Sequence, residues 1–276
     1  MSITAQTLRR AIHSEQLDGA SLCVHASLRS FGHVERGAPT LVDALLAENC
    51  TLLVPTFSWR AYKVQAALGE HPRQNGVDTD LPSERTPGDA GIYTPASREL
   101  DDDMGAVAAA VLERHDAVRG RHPLMSFSAV GPRADALICG QQPSNGQALA
   151  PLERLVDEGG FVVLMGVGLD RMTLLHLAEQ RAGRRPFVRF ANDEQGRRMP
   201  VEVGACSEGF ERFGPYLAPF KRRRQVGKST WLILDARATL SAAVAVVEHA
   251  PDTTRCSNDR CARCRDAVLG GPLPKP

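Results

Sequence analysis

The sequence predicts an α/β fold: a central mixed sheet flanked by helices, with an inserted long loop and a short C-terminal hairpin region. Short apolar segments alternate with helix-forming segments along most of the 276 residues, which is typical of sheets with parallel pairs and helices on their faces. Residues 70–103 are rich in Pro, Gly, Asp and Thr and have no apolar period, which indicates a long loop. Two β-rich segments flank the turn sequence 192–196, Asn-Asp-Glu-Gln-Gly, which predicts a hairpin.

Each element follows from composition and spacing. Helix-forming composition and apolar spacing predict helices at residues 5–12, 39–47, 104–114, 134–139, 151–158, from 173 onward, and 240–249. Apolar and β-branched runs predict strands at residues 21–25, 51–57, 127–130, 161–165, 187–191, 199–203 and 230–234. We expect one α/β domain over residues 1–276, with 60–103 as a substrate-facing loop insertion and 256–276 as a cysteine-containing tail that frays from Gly270.

Composition restricts the class of protein. The net charge of +1 lacks the basic excess typical of nucleic-acid binding, and no apolar run approaches the roughly 20 residues that span a bilayer. Residues 1–16 contain no apolar core like that of a signal peptide, so we expect a cytoplasmic protein with reduced cysteines. The basic run 221–224 is interpreted as a solvated turn, with a contact to ligand phosphates as the alternative.

The most informative stretch is a buried strand, a glycine loop and a helix. The apolar run 161–165 leads into Gly166-Val167-Gly168, and the helix that follows carries His176 and Glu179 on one face, three residues apart. A carboxylate at this spacing can hold the imidazole in one tautomer and raise its basicity, as a general base acting on an amine or hydroxyl requires. A solvated helix face would explain the same spacing.

Four stretches together carry a family resemblance. They are residues 24–32 (VHASLRSFG), 51–58 (TLLVPTFS), 122–131 (HPLMSFSAVG) and the strand, loop and helix of 161–179. In this order they resemble the antibiotic N-acetyltransferase family, which includes the aminoglycoside 3-N-acetyltransferases. The resemblance implies that acetyl-CoA is the donor, that His176 deprotonates the 3-amine of the drug, and that Glu179 orients this base.

The resemblance also implies a binding site for acetyl-CoA. The loop Ser27, Leu28, Arg29, Ser30, Phe31 and Gly32 offers hydroxyls, a guanidinium and a glycine for close approach to phosphates. Ala26 stands where many relatives carry Ser. Ser126 is expected to touch the donor or to help orient its thioester, while His122 is either a cleft residue or a turn residue. Thr173 is either a helix N-cap, the favoured interpretation, or a contact to the thioester region.

The polycationic acceptor that the resemblance implies calls for carboxylates. Most acidic candidates lie in the long loop, and we expect Asp170 and Asp102 to bind the drug. Amides of Gly166-Val167-Gly168 are a candidate for stabilising the oxyanion. The stretch 62–103 departs from the family pattern, and Ala109 stands about where many relatives have Glu. The small-molecule partners are thus an aminoglycoside and acetyl-CoA, bound by a monomer or homodimer.

A second constellation is formed by cysteines. Cys256, Cys261 and Cys264 lie close together in the tail, and Cys206 would complete a tetrahedral site for a structural zinc. Free surface thiols and a redox disulfide are the alternatives. Cys23, Cys50 and Cys139 are interpreted as small core residues.

Two other functions fit the same sequence. The chain is either an N-acetyltransferase for a different, biosynthetic amine acceptor, or an inactive zinc-stabilised binding protein of the same fold. The intact pair His176 and Glu179 favours an enzyme. A thiol-dependent acyl-enzyme is disfavoured, because no cysteine stands beside a recognisable base.

Overall fold

The computed structural model describes residues 2–67, 69–77 and 90–273. Its strands are β1 (Ser21–Ala26), β2 (Thr51–Pro55), β3 (Lys63–Val64), β4 (Val118–Arg119), β5 (Phe127–Val130), β6 (Phe161–Met165), β7 (Phe187–Asn192), β8 (Arg198–Val203), β9 (Lys221–Val226) and β10 (Ser229–Asp235). Its α-helices are α1 (Ala5–Ser14), α2 (Ala38–Leu46), α3 (Trp59–Tyr62), α4 (Gly105–Leu112), α5 (Ala134–Ile138), α6 (Ala150–Asp157), α7 (Leu174–Arg181), α8 (Gly214–Leu217), α9 (Ala236–His249) and α10 (Ala262–Val268).

The main sheet is mixed, as predicted, with the strand order β4-β5-β2-β1-β6-β10-β9. Its centre is parallel, because β1 pairs in parallel with both β2 and β6. The outer strands pair antiparallel. The carboxyl ends of β1, β2 and β6 therefore meet at one edge of the sheet, where parallel sheets commonly bind ligands.

Alternating side chains divide the core into two layers, one on each face of the sheet. Leu22 and Val24 of β1 face α1, α2 and α4, whereas Cys23 between them faces the layer that contains α5, α6, α7 and α9. This alternation is the period of two expected of a strand buried on both faces. The helices thus cover both sides of the central strands and leave the carboxyl edge open.

The predicted hairpin is confirmed. Strands β7 and β8 pair antiparallel from Phe187 opposite Val203 to Asn192 opposite Arg198. The Asp193 side chain accepts hydrogen bonds from the amides of Gln195 and Arg197 at 2.9 and 2.8 Å, which closes the turn. The short strand β3 joins this hairpin in a small second sheet.

The prediction for the basic run is wrong. Residues 221–224 belong to β9, an edge strand paired with β10, and not to a solvated turn. Its exposed arginines suit an edge, because charged side chains discourage pairing with a second chain. Arg222 donates to the carbonyl of Glu15 at 2.8 Å, away from the cleft described below.

The long loop faces the cleft over only a small part of its described length. Residues 69–77 and 90–101 form no regular helix or strand. The Asn75 side chain forms two hydrogen bonds with the backbone of Val188 in β7, at 2.8 and 3.0 Å, and the Gly76 amide donates to Asp266 at 2.8 Å. The first part of the loop therefore packs against the hairpin and the tail, and residues 78–89 lie outside the described residues.

A buried arginine fastens the second part of the loop. Arg119 of β4 donates to the carbonyls of Thr56, Ser97 and Glu99 at 2.7 to 2.9 Å, and to the Ser126 hydroxyl at 2.9 Å. Burial lowers the pKa of this guanidinium. Because these bonds join three segments, Arg119 fixes where the loop enters the cleft.

The tail is docked and not frayed over its described residues. Gln74 donates to the carbonyls of Leu269 and Gly271, each at 2.9 Å, and the amide of Leu273 donates to Arg73 at 3.1 Å. Helix α10 was not predicted, because its sequence has few apolar residues. Within the described ranges, we find no helix with the length and apolarity needed to cross a membrane.

Candidate active site

A large cleft opens at the carboxyl edge of the parallel strands. It has a volume of about 990 Å³. Segments that follow β1, β2 and β6 form its floor, and α4, the residues after β8 and the tail form its walls. The charged, hydroxyl, histidine and glycine residues that line it are His25, Ser27, Arg29, Asp102, Asp103, Gly105, Gly166, Asp170, Arg171, Thr173, His176, Gly204, Ser207 and Arg263.

The predicted pair lies at this cleft. His176 Nδ1 is 2.9 Å from Glu179 Oε2, and their side chains are 11% and 6% exposed. Since a carboxylate accepts a hydrogen bond, the neutral imidazole in this position has its proton on Nδ1 and its lone pair on Nε2. The pair is therefore not the solvated helix face that its spacing also allowed.

A buried arginine, Arg184, holds the carboxylate of this pair. Arg184 Nη1 donates to Glu179 Oε1 at 2.7 Å and to the Thr254 hydroxyl at 2.8 Å, and Nη2 donates to the carbonyl of Pro251 at 2.8 Å. The Arg184 side chain is 8% exposed. It balances the Glu179 charge and connects α7 to the chain beyond α9. Sequence reasoning missed Arg184, because only the fold brings residue 254 beside it.

The imidazole of His176 lies between the phenyl ring of Phe210 and the backbone of Gly204. Its centroid is 4.8 Å from that of Phe210. A Cβ placed on Gly204 would lie 2.8 to 2.9 Å from three atoms of the imidazole. Gly204 therefore permits the ring to occupy this position against the cleft wall.

The loop Gly166-Val167-Gly168 forms a tight turn. Not all of its amides are available to stabilise an oxyanion, the role that the sequence predicted for them. Gly166 has φ of +69° and lies against Ser30, where a side chain would collide. Its amide donates to the carbonyl of Thr230 at 2.9 Å, so this amide is not a donor to an oxyanion. The amide of Leu169 donates to Glu211 at 2.6 Å, which ties the loop to the segment carrying Phe210.

Half of the predicted CoA loop lines the cleft. Ser27, Leu28 and Arg29 do so, whereas Ser30, Phe31 and Gly32 stand behind them. The Ser30 hydroxyl donates to the Ser27 carbonyl at 2.7 Å and also bonds the Ser229 hydroxyl at 2.8 Å. Phe31 is buried against Trp231 with ring centroids 6.2 Å apart. The latter three residues hold the loop in place and do not line the cleft.

Two of the other predicted contacts change role. Ser126 is fully buried behind the cleft, where its hydroxyl donates to the Thr56 carbonyl at 2.7 Å and accepts from Arg119. Thr173 occupies the N-cap position of α7 but forms no side-chain cap, and it lines the cleft. Thr173 is therefore the N-cap residue of α7 but does not cap the helix with its side chain, and Ser126 does not line the cleft.

Carboxylates and arginines share the mouth of the cleft. Asp102, Asp103 and Asp170 line it together with Arg171, which lies 3.8 Å from Asp103 and 3.5 Å from Asp170. Asp102 pairs with Arg60 at 2.7 Å. These pairs are solvent-exposed and contribute little to stability, so a ligand can replace them at small cost.

Two further histidines are buried near the site. His25 of β1 lines the cleft and was not assigned a role from the sequence, although its place at the end of a central strand is a usable signal. His122 is the turn residue of the two alternatives: Nδ1 accepts the amides of Leu124 and Met125, and Nε2 donates to the Glu202 carbonyl at 2.7 Å. Burial lowers both pKa values from 6.5 to about 4, and Arg171 adds to the effect at His25.

These low pKa values predict a loss of stability in acid. Between pH 6.5 and 4 the unfolded chain binds protons at these histidines and the folded chain does not, so stability falls as the pH falls through that window. For His122 the loss is on the order of 3 kcal/mol. Urea unfolding from pH 7 to pH 4 should therefore show a smaller pH slope for His122→Gln than for the parent. The exposed His115→Gln should keep the parent slope, and equal slopes for both variants would contradict the prediction.

The four cysteines predicted to bind metal come together. The sulfur atoms of Cys206, Cys256, Cys261 and Cys264 all lie within 4.8 Å of one another. All the cysteines are free thiols. Cys23 and Cys50 are buried as expected, but Cys139 is exposed, so its core assignment is wrong.

The fold and the cleft define an α/β protein with a buried histidine and carboxylate pair at a large ligand site. A family model described as aminoglycoside 3-N-acetyltransferase matches residues 23–248. The chain therefore belongs to the aminoglycoside 3-N-acetyltransferase family.

Individual relatives agree with this assignment. The aminoglycoside N(3)-acetyltransferase VIII of Streptomyces fradiae is 33% identical over 200 residues, which cover 67% of this chain and 62% of that protein. Matches to such curated relatives span about three-fifths of their length. The aminoglycoside acetyltransferase AAC(3)-IVa apoenzyme shares the fold, with a TM-score of 0.77 and 23% identity over 98% of both chains. The AAC-IIIb binary complex with CoASH has a TM-score of 0.70 and 22% identity over 90% of this chain and 97% of that one.

Proposed function

We propose that this protein transfers the acetyl group of acetyl-CoA to the 3-amino group of an aminoglycoside antibiotic, and so confers resistance. The observation that carries the proposal is the relay of His176, Glu179 and Arg184, a buried chain of hydrogen bonds at the wall of a cleft of about 990 Å³. Family membership and the CoASH complex of a structural relative support the choice of donor.

In the proposed mechanism His176 is the general base. An aminoglycoside amine is protonated in water and must lose a proton before it can attack the thioester carbon. Nε2 of His176 accepts this proton, while the Nδ1 hydrogen bond to Glu179 stabilises the imidazolium that forms. The N–C bond forms as the C–S bond breaks, and the nitrogen gives up a second proton as it becomes an amide. Of the two protons released, one passes through His176 to the CoA sulfur and the other leaves to solvent. No covalent acyl-enzyme is needed.

The charges around the cleft fit the two substrates. Arg29 lies beside Ser27 and Leu28, and a guanidinium there suits the phosphate oxygens of CoA. We assign the ammonium groups of the acceptor to Asp170 and Asp102, with Asp103 beside them. Thr173, which lines the cleft one turn before His176, is assigned to the thioester region.

The experiment is acetyl transfer by the purified full chain. Thiol release from acetyl-CoA is followed with a panel of aminoglycosides, and NMR of the product locates the acetylated amine. Turnover at the 3-amine supports the proposal. Turnover only with unrelated amines would support a biosynthetic acceptor, and CoA binding without any turnover would support a binding protein. A cytoplasmic location and the choice between monomer and homodimer stay predictions.

Gly204→Ala is expected to lower activity without unfolding the protein. The added methyl would collide with the His176 ring, and a displacement of about 1 Å at a catalytic group can cost on the order of 100-fold in rate. The measurement is kcat with acetyl-CoA and the best aminoglycoside, beside thermal melting. Gly214→Ala is the matched control, because a Cβ there meets nothing within 4 Å and its backbone is helical. Equal kcat values for the two variants would contradict this account of Gly204.

A further inference from the structure

The cluster of Cys206, Cys256, Cys261 and Cys264 has the dimensions of a tetrathiolate metal site. Sulfur atoms bound to one zinc at about 2.3 Å stand roughly 3.8 Å apart, which agrees with the 4.8 Å limit on their present separations. Cys206, Cys256 and Cys264 are buried, and Cys261 is half-buried beside them. The four cysteines come from two distant parts of the chain, so they are brought together only when the chain folds.

The chemistry of the ligands favours zinc in a structural role. Four soft thiolates select zinc over calcium or magnesium, which take oxygen ligands. Four protein ligands also leave no open position for a substrate, as in structural zinc sites. The amide of Cys256 donates to Cys264 Sγ at 3.3 Å, a bond that stabilises a thiolate.

Charged side chains surround the cluster. Zinc with four thiolates carries a net charge of about −2. Residues 252–266 contain four arginines and three aspartates, and Arg255 and Arg265 pair with Asp252 and Asp266. The segment keeps a small excess of positive charge, with Arg263 between Cys261 and Cys264.

The cluster also connects directly to the catalytic relay. Cys256 follows the turn Pro251–Thr254, and this turn supplies the carbonyl and hydroxyl that hold Arg184. Cys206 lies between Ala205 and Ser207, which both line the cleft, and Arg263 between Cys261 and Cys264 lines it as well. Gly209 packs against the backbone of Arg255, where a side chain would collide.

We propose that these four cysteines bind one zinc ion, and that the ion holds the chain segments that position Arg184, Glu179 and His176. The metal acts at a distance from the reaction: it fixes the Pro251–Thr254 turn, the turn fixes Arg184, and Arg184 fixes the carboxylate that orients the base. Its catalytic consequence rests on the proposed function, whereas the metal site and its effect on α7 do not.

The first experiment measures metal in the purified full chain. We expect about one zinc per chain by elemental analysis, released when a mercurial reagent titrates the thiols. Cys261→Ser should lose most of this zinc, while Cys261→His, which keeps a zinc ligand, should retain it. Cys139→Ser is the control, because Cys139 is exposed and outside the cluster. A parent that holds no zinc after incubation with zinc salts, with all four thiols reactive, would overturn the site.

The second experiment tests the connection to α7. Hydrogen exchange is compared between the zinc-bound parent and the same protein after zinc removal by a chelator. We expect exchange in α7 to become about tenfold faster, while α1, on the opposite face of the sheet, stays unchanged. Unchanged exchange in α7 after zinc loss would overturn the positioning role. Because neither readout uses acetyl transfer, failure of the proposed function would leave both results interpretable.

Discussion

His176→Ala is expected to reduce kcat by about 100- to 10,000-fold, the range that general-base catalysis usually contributes. The loss follows from the proposed mechanism, in which Nε2 of His176 is the base and the Glu179 carboxylate orients the imidazole at the cleft. The measurement is initial-rate acetyl transfer at saturating acetyl-CoA. Binding of acetyl-CoA, measured by calorimetry, should change little.

Two further variants sharpen this test. His249→Ala removes an exposed histidine at the end of α9 and should keep the parent kcat. His176→Asn retains a side-chain donor to Glu179 without a basic nitrogen, so it should be nearly as inactive as His176→Ala. Substantial turnover by His176→Asn would contradict proton transfer by the imidazole.

Arg184→Leu is expected to destabilise the fold by about 3 to 5 kcal/mol, because it leaves the buried carboxylate of Glu179 without its cation. The guanidinium is 8% exposed and also donates to Thr254 and Pro251, so three hydrogen bonds are lost together. Urea unfolding at pH 7 measures the effect. Activity of the folded fraction should fall as well, since Glu179 would no longer be fixed.

Arg181→Leu is the matched control on the same helix. Arg181 pairs with Glu153 at 2.6 Å, but the side chains are 56% and 34% exposed, so the expected loss is below about 1 kcal/mol. The double variant Glu179→Gln with Arg184→Leu should recover part of the stability, because it removes the uncompensated charge. Equal losses of unfolding free energy for Arg184→Leu and Arg181→Leu would contradict the prediction that the buried pair stabilises the fold more than the exposed pair.

Much of the fold was predictable because its elements are local in sequence. The central strands are apolar runs, and the hairpin has a turn sequence between two β-rich segments. The pair of His176 and Glu179 was found for the same reason, since both residues lie on one helix turn.

The remaining features depend on long-range contacts. Strand β9 has a basic sequence that resembles a surface turn, and only its pairing with β10 makes it a strand. Ser126 resembled a ligand contact until the buried guanidinium of Arg119 accounted for its hydroxyl. The role of Arg184 depends on Pro251 and Thr254, which lie 67 and 70 positions further along the chain. No local pattern contains this information.

The bonds between Arg184 and the Pro251–Thr254 turn have a consequence for folding order. During synthesis the strands β1, β2 and β6 and helix α7 emerge before the turn that completes the relay. Because this turn follows every strand of the main sheet in the chain, Arg184 can hold the Glu179 carboxylate only after all of those strands have been synthesised. Local opening of the same turn in the mature protein would release Arg184 while the sheet stays folded. Loss of the proposed activity and global unfolding should therefore occur at different denaturant concentrations.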